Sequence, residues 1–571
     1  MSVATDLSVS RFDEKEVSAE YSPPLRQPWL TRSNLILFLT LALVVVMVTR
    51  GISKGEFDYN VDESQHAASG IFYASLLKDF PLTHPVQYTY SYYAEYPALS
   101  GVLHYPPLFY MVEGLIFRLF GASVITARIT TLLFSLMACT FWFRLVNKVL
   151  GPWAAALSTL VFALVPSVLL FEKASMLEVP CLALSIAALY FWHTFLTTER
   201  IGSLYWFALL GAGAMLTKQH VVFLVLVCPL TAVLLGKWRL FLDRRVLGPL
   251  AILAILAGPF YGAYALSHWH TVAVDVSTSA PAPKADVATG HVASLLFYLK
   301  ALPDQLGWPL LALAVLGAAT CGWWGRRQAN VFMSVWILGC YLVFTAIPHK
   351  EPRYSLYWIP PLAYFIAGPL TARWRVSAVR FAAAALGIVL LANTAWVAWH
   401  YERPYLAGYE PLAQRIVKTS NSGVILFDAQ LPANFIFFLR NLDHDRHFLV
   451  LRKALWSVRI VARYGSEQFA RTPDDVRKVI AENGVKFIVV SDLPTRFQAQ
   501  ESLLDVLAHD PQYELVDVFP IETNEPYWQG RHLLLYRNRL AAPPTGEFLH
   551  IRMMTLSHDI VLPWSQFKQV W

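Results

Sequence analysis

The stretch Asp58-Tyr59-Asn60-Val61-Asp62-Glu63-Ser64-Gln65-His66 sets two carboxylates side by side, about a dozen residues after an apolar run. A carboxylate so placed can take the proton of an incoming hydroxyl. Asp62 also has the residue type of a helix cap. Much later, His349-Lys350-Glu351-Pro352-Arg353-Tyr354 packs two permanent cations, a histidine and a tyrosine between two apolar runs. Arg offers a bidentate fork and Lys a mobile point charge, a combination that suits a phosphate or diphosphate at a membrane surface. Anchoring to a phospholipid headgroup is the alternative use. Lys218-Gln219-His220 supplies either a second cationic contribution or a turn satisfied by water. In His104-Tyr105-Pro106-Pro107-Leu108 an imidazole lies beside a turn, and the prolines equally suit the start of a helix.

The elements that must position these groups are apolar. A chain of 571 residues with 56% hydrophobic and 15% charged residues has more apolar surface than a water-soluble core can hide. Eleven candidate membrane spans lie near 34–50, 126–146, 152–171, 174–195, 204–218, 219–236, 247–266, 306–322, 331–347, 356–371 and 377–397. A weaker run at 106–120 carries Glu113 and Arg118 and reads as a tilted or surface-lying helix. All five cysteines fall inside apolar runs, without disulfide or metal-ligand spacing. Residues 1–33 form a polar segment that reads as a disordered cytoplasmic tail, followed by a retained anchor.

The net charge of +7 is spread over short connections instead of forming a nucleic-acid-binding patch. Arg26 and Arg32, Arg144 and Lys148, Arg200, Lys237 to Arg245, Arg326-Arg327, and Arg373 to Arg380 occupy alternate connections, which marks the cytoplasmic side. Eleven spans then leave the carboxyl-terminal region outside. The opposite face gathers the long loop 51–105, Phe171-Glu172-Lys173, Lys218-Gln219-His220, the loop 267–305 and the segment 348–354. Ionisable residues that meet at membrane depth line a cavity for a polar ligand. Taken singly, each suits equally well a side chain reaching for headgroups.

From 401 to 571, charged helices alternate with short apolar strands such as Val424-Ile425-Leu426-Phe427 and Lys486-Phe487-Ile488-Val489-Val490, the pattern of a small α/β domain. Asp428 and Asp492 stand at strand ends, where capping or solvation is the simpler role. The expected architecture is a mainly α-helical polytopic membrane domain at 34–400 with an extracytoplasmic α/β domain at 401–571.

The Asp-Glu pair after the first span, Tyr105-Pro106-Pro107-Leu108, Ser175-Met176-Leu177-Glu178-Val179-Pro180, Leu216-Thr217-Lys218 and the late Lys-containing loop together resemble the GT-C superfamily of membrane glycosyltransferases. The pattern is similar to glycosyltransferase family 39, the protein-O-mannosyltransferase and aminoarabinose-transferase group. His-Lys-Glu-x-Arg-Tyr also resembles dolichol-phosphate-mannose-dependent mannosyltransferases. Two departures bear on the sugar and the acceptor: His104-Tyr105 replaces an acidic-basic pair before Pro-Pro, and Glu178 stands where many relatives carry Asp.

The resemblance implies a polyprenyl-phosphate sugar donor, an acceptor (glycan, lipid or protein) approaching from the noncytoplasmic side, and inversion by single displacement. It implies Asp62 as base, with Glu63 orienting it or binding acceptor. His349, Lys350 and Arg353, with Lys218, would hold the leaving phosphate. His104, Tyr105, Glu178, His220 and Tyr354 are candidate substrate contacts. No cofactor is required by this chemistry, and the nearby carboxylates leave room for a divalent metal. A bacterial inner membrane is the expected location. A transporter or flippase is the competing class, whose internal repeats and mid-membrane charges are not seen in the sequence. A noncatalytic, sugar-sensing protein on the same scaffold is a third.

Overall fold

Inside lipid, backbone polar groups can bond only to one another, and the apolar runs accordingly fold as helices. The computed structural model describes residues 31–58, 61–99, 105–267, 291–347, 350–458, 466–553 and 559–571. His104, His349, most of the expected loop 267–305 and nearly all of the amino-terminal tail lie outside them.

Among the described residues, six helices are long and apolar enough to cross a membrane: Arg32–Thr49, Val124–Leu150, Glu178–Thr198, Leu247–Ser267, Arg327–Ala346 and Ser377–His400. Two bent pairs raise the number to eight if each is one span: Pro152–Leu164 with Pro166–Glu172 at 72°, and Val292–Leu306 with Trp308–Ala319 at 117°. Pro166 cannot continue the ladder of the preceding helix, and Gly307 turns the chain with φ of +77°. The expected eleven full-length spans are therefore not reached by length. The runs at 204–218, 219–236 and 356–371 form the shorter helices Ile201–Met215, Leu224–Leu234 and Ile359–Thr371. Fifteen residues rise only about 22 Å, less than the ~30 Å of a hydrocarbon core. Thr217-Lys218-Gln219 ends the first of these early, and the Pro352–Trp358 3-10 turn delays the last. The run at 106–120 folds as the helix Leu108–Phe120, with Glu113 fully buried.

The first loop folds back as the helix Val61–Asp79, which begins with Asp62 and Glu63 in its first turn. Glu63 is 1% exposed and ties three parts of the chain together. Its Oε1 accepts from Arg128 Nε at 3.0 Å, on the helix Val124–Leu150, and its Oε2 accepts from Arg403 Nη1 at 3.1 Å, just past the last membrane helix. The Asp58 N–H adds a bond at 2.7 Å, and the Ser175 N–H another at 3.3 Å. Arg128, itself fully buried, also donates to the carbonyls of Ile52 and Glu56, and Arg403 to that of Lys54. Burial works to raise the Glu63 carboxyl, but the two guanidiniums overcome it and hold the group below the usual carboxylate range.

The same loop seats the carboxyl-terminal region. Glu56 accepts the backbone N–H groups of Gly408, Tyr409 and Glu410 at 2.9–3.0 Å, capping the helix Tyr409–Thr419 from outside its own sequence. Arg440 and Arg446 lie over the rings of Tyr92 and, respectively, Tyr96 and Tyr88, and Arg446 pairs with Glu95. The region is built on a five-stranded sheet. Gly423–Phe427 runs parallel between Phe448–Leu451 and Val485–Ser491; His532–Asn538 then pairs antiparallel with Val485–Ser491, and Tyr513–Pro520 closes the far edge. The strands Gly423–Phe427 and Phe448–Leu451 are buried at every position, as parallel strands covered on both faces require. Asp428 accepts from Trp456 Nε1 at 2.7 Å and Asp492 from the His532 N–H at 2.9 Å, so both strand-end carboxylates are engaged by protein donors.

Replacing Arg128 by Met leaves Glu63 with one guanidinium in a buried site. Stranding part of a buried charge network costs about 3 kcal/mol or more, and the thermal midpoint of the detergent-solubilised protein is expected to fall sharply, as size-exclusion after heating would read out.

Candidate active site

Four elements bring charged side chains to one place. The helix Val61–Asp79 contributes Asp62, the helix Glu178–Thr198 begins with Glu178, and the extended residue Lys218 joins Ile201–Met215 to the 3-10 turn Gln219–Phe223. Arg353 comes from the turn Pro352–Trp358. Lys218 Nζ lies 2.6 Å from Glu178 Oε1, and both are buried. Arg353 Nη1 donates to Asp62 Oδ2 at 2.8 Å and lies 3.4 Å from Glu178 Oε1, while its Nε pairs with Glu351. Two cations thus face three carboxylates. The Asp62 side chain keeps 26% of its surface open against 3% for Glu178, so Asp62 is the more approachable of those two.

The remaining sequence candidates divide. Glu63 does not stand with Asp62 in a catalytic pair: its carboxylate is sealed between Arg128 and Arg403, with no surface left for an acceptor. Lys350 is 6% exposed, and its ammonium donates to the carbonyls of Thr345 and Ile347 at 2.7 Å each, closing the end of the helix Arg327–Ala346. His220 packs against Tyr354 with ring centroids 4.2 Å apart and the rings tilted by 50°, next to Arg353. Tyr105 meets His66 edge to face at 5.5 Å.

Three residues that matter here were given no role from the sequence. His66 sits one turn after Asp62 and its Nδ1 is 2.7 Å from the Tyr110 hydroxyl. The i, i+4 spacing of Asp62 and His66 was a usable signal for a shared helix face. Arg128 was visible as an arginine inside an apolar run, an expensive position that asks for a partner. Arg403 had no comparable mark. Burial pushes the His66 imidazole down to about 4; the neighbouring Asp62 and Glu178 pull it up, and Lys218 and Arg353 press it lower, so the ring is neutral at physiological pH.

Beside this cluster runs an apolar cavity of about 700 Å³, with walls that include Trp192, Phe207, Met215, Val225, Pro229 and Tyr261. His220 and Ile347 also line it. The former packs against Tyr354 and the latter's carbonyl holds Lys350, so the cavity adjoins the charged site.

The whole architecture has solved counterparts. ArnT from Cupriavidus metallidurans in the apo state matches with a TM-score of 0.60 at 13% identity, over 90% of this chain and 100% of that one. ArnT from the same organism bound to undecaprenyl phosphate matches at 0.58 and 14% identity, again over 90% and 100%. The arabinofuranosyltransferase AftD from Mycobacteria matches at 0.50 and 14% identity, over 91% of this chain and 40% of AftD. The chain shares the fold of ArnT, carried by an integral membrane protein. Residues 104–262 match the family described as dolichyl-phosphate-mannose-protein mannosyltransferase. A comparison with curated protein sequences finds no match.

The folded-state value of His66 lies below its unfolded value of about 6.5. Its contribution to stability is therefore complete above pH ~6.5 and is lost as the pH falls toward 4, by up to about 3 kcal/mol. In the variant His66→Asn, whose amide can still meet Tyr110, the fall of thermal midpoint between pH 6.5 and 4.5 should be visibly shallower than in the parent.

Proposed function

We propose that this chain is an inverting glycosyltransferase that moves a sugar from a polyprenyl-phosphate donor to an acceptor hydroxyl on the noncytoplasmic side of a bacterial inner membrane. The observation that carries the reading is the Asp62–Arg353 pair: a partly open carboxylate 2.8 Å from a guanidinium that shares Glu178 with Lys218, alongside an apolar cavity.

The chemistry follows from charge. Asp62 takes the acceptor hydroxyl proton as that oxygen bonds to the anomeric carbon. The bond from that carbon to the phosphate oxygen breaks, and its electron pair leaves on the polyprenyl phosphate, where Arg353 and Lys218 meet the developing charge. One displacement inverts the anomeric centre. Lys350 lends positive potential from behind the site while it holds two carbonyls. His349 belongs to the same segment by sequence. Tyr354 and His220 line the route from the cavity to Arg353.

The cavity suits the polyprenyl chain, which has only methyl and methylene surface to bury. ArnT, which shares the fold, has been solved with undecaprenyl phosphate. Positive residues on alternate connections, together with Arg403 clamping Glu63 beside the charged cluster, support placing residues 401–571 on the noncytoplasmic side. A transporter would hold its charges near mid-membrane on matched broken helices; here they meet at helix ends. No cofactor is needed, because the two side-chain cations do the work of a Lewis acid.

In liposomes supplied with a panel of polyprenyl-phosphate sugars, Asp62→Asn should cut release of polyprenyl phosphate by about 10²–10⁴-fold, and full turnover in that variant would sink the assignment of the base. Arg353→Lys keeps the charge but loses the fork, and its expected effect is a donor KM raised about tenfold or more. Treatment with a chelator is expected to leave turnover intact; loss that is restored by a divalent ion would overturn the metal-free scheme.

A further inference from the structure

A second cavity, of about 290 Å³, opens between the helices Val61–Asp79 and Pro85–Glu95. Its walls are aromatic: Phe72, Tyr73, Tyr90, Tyr105, Tyr110 and Phe260. Ser69 and Thr89 bring further hydroxyls, and among the described residues no charged side chain lines it.

Its position relative to the candidate base is fixed by one helix. Asp62, His66, Ser69 and Tyr73 follow each other at i, i+4, i+7 and i+11, one stripe of the helix Val61–Asp79. Asp62 holds Arg353 at the start of that stripe, His66 touches both Tyr105 and Tyr110, and Ser69 and Tyr73 are already in the cavity wall. Seven residues of helix span about 10 Å. The cavity wall therefore begins about 10 Å along the helix from the carboxylate that would deprotonate the acceptor, roughly the length of a disaccharide.

The lining selects among occupants. An anionic acceptor would lose its hydration here without meeting a cation, a cost that buried charges repay only when paired. A polyprenyl tail gains nothing from tyrosine hydroxyls and has the larger, almost wholly apolar cavity to occupy. Flat aromatic faces with hydroxyls at their edges suit a ligand with apolar C–H faces and a rim of neutral hydroxyls. The volume is near the lower limit of ~300 Å³ for small-molecule pockets, the size of a mono- or disaccharide.

We propose that this tyrosine-lined cavity is the acceptor subsite and that it takes an uncharged carbohydrate. The inference rests on the glycosyltransferase reading and specifies the acceptor class for the same site. Val86 stands on the wall with 64% of its surface exposed, so a larger side chain there fills the cavity without disturbing a packed core.

The test uses the full chain in nanodiscs and saturation-transfer NMR with methyl mannopyranoside, methyl galactopyranoside and methyl arabinofuranoside, with glucose 1-phosphate as the anionic probe. At least one neutral glycoside should receive saturation, and that signal should fall about tenfold or more in both Val86→Trp and Tyr90→Ala at an unchanged thermal midpoint. The proposal is overturned if no neutral glycoside responds, if the signal survives both substitutions, if glucose 1-phosphate responds as strongly, or if excess farnesyl phosphate displaces the glycoside and so claims the cavity for the donor chain. Binding is read without turnover. A Val86-dependent signal in a chain that transfers no sugar would refute the activity and leave the subsite standing, whereas transfer to a neutral acceptor that Val86→Trp does not alter would refute the subsite alone.

Discussion

A single buried carboxylate organises this molecule. Glu63 sits between two arginines that belong to different parts of the chain, Arg128 on a membrane helix and Arg403 at the start of the carboxyl-terminal region. The arginines in turn hold the carbonyls of Ile52, Lys54 and Glu56, so the loop that follows the first span is gripped along its length. Charges removed from water this completely are costly unless paired and hydrogen-bonded. That requirement leaves the loop, the membrane helices and the sheet-containing region one mutual arrangement.

The arrangement decides which neighbour is sealed and which stays open. Adjacent residues on a helix point about 100° apart, so Asp62 and Glu63 cannot face the same partner. With Glu63 turned to Arg128 and Arg403, Asp62 is aimed at Arg353, and His66 and Ser69 follow on its side. The charged cluster and the aromatic cavity both draw residues from this one rotational setting.

Much of this was legible in the residues. The membrane class, the sheet-containing carboxyl-terminal region, and Asp62, Lys218 and Arg353 as unusual charges followed from hydropathy and from where ions are expensive, while Glu178 entered through the family resemblance. The structure brings those four together. What was not legible depends on distance in space. Asp62-Glu63 reads as a pair in one dimension and is split by the helix. Lys350 looks like a phosphate ligand beside Arg353, yet its long stem folds back onto carbonyls three and five residues earlier. Eleven apolar runs do form helices, but hydropathy does not tell a full crossing from a short helix that packs against others, as Ile201–Met215 and Leu224–Leu234 do. Arg403 carries no local signal because its partner is 340 residues away.

One feature of the charged cluster sets an order of events. Arg353 is already engaged by Asp62, Glu178 and Glu351, one guanidinium among three carboxylates. An arriving anion cannot simply be added to that set; it must be exchanged for a member of it, and the outward members are Asp62 and Glu351. An anion that takes the place of Asp62 on Arg353 would free that carboxylate's oxygens at the same moment, so occupancy of the guanidinium and availability of the carboxylate are tied to one exchange.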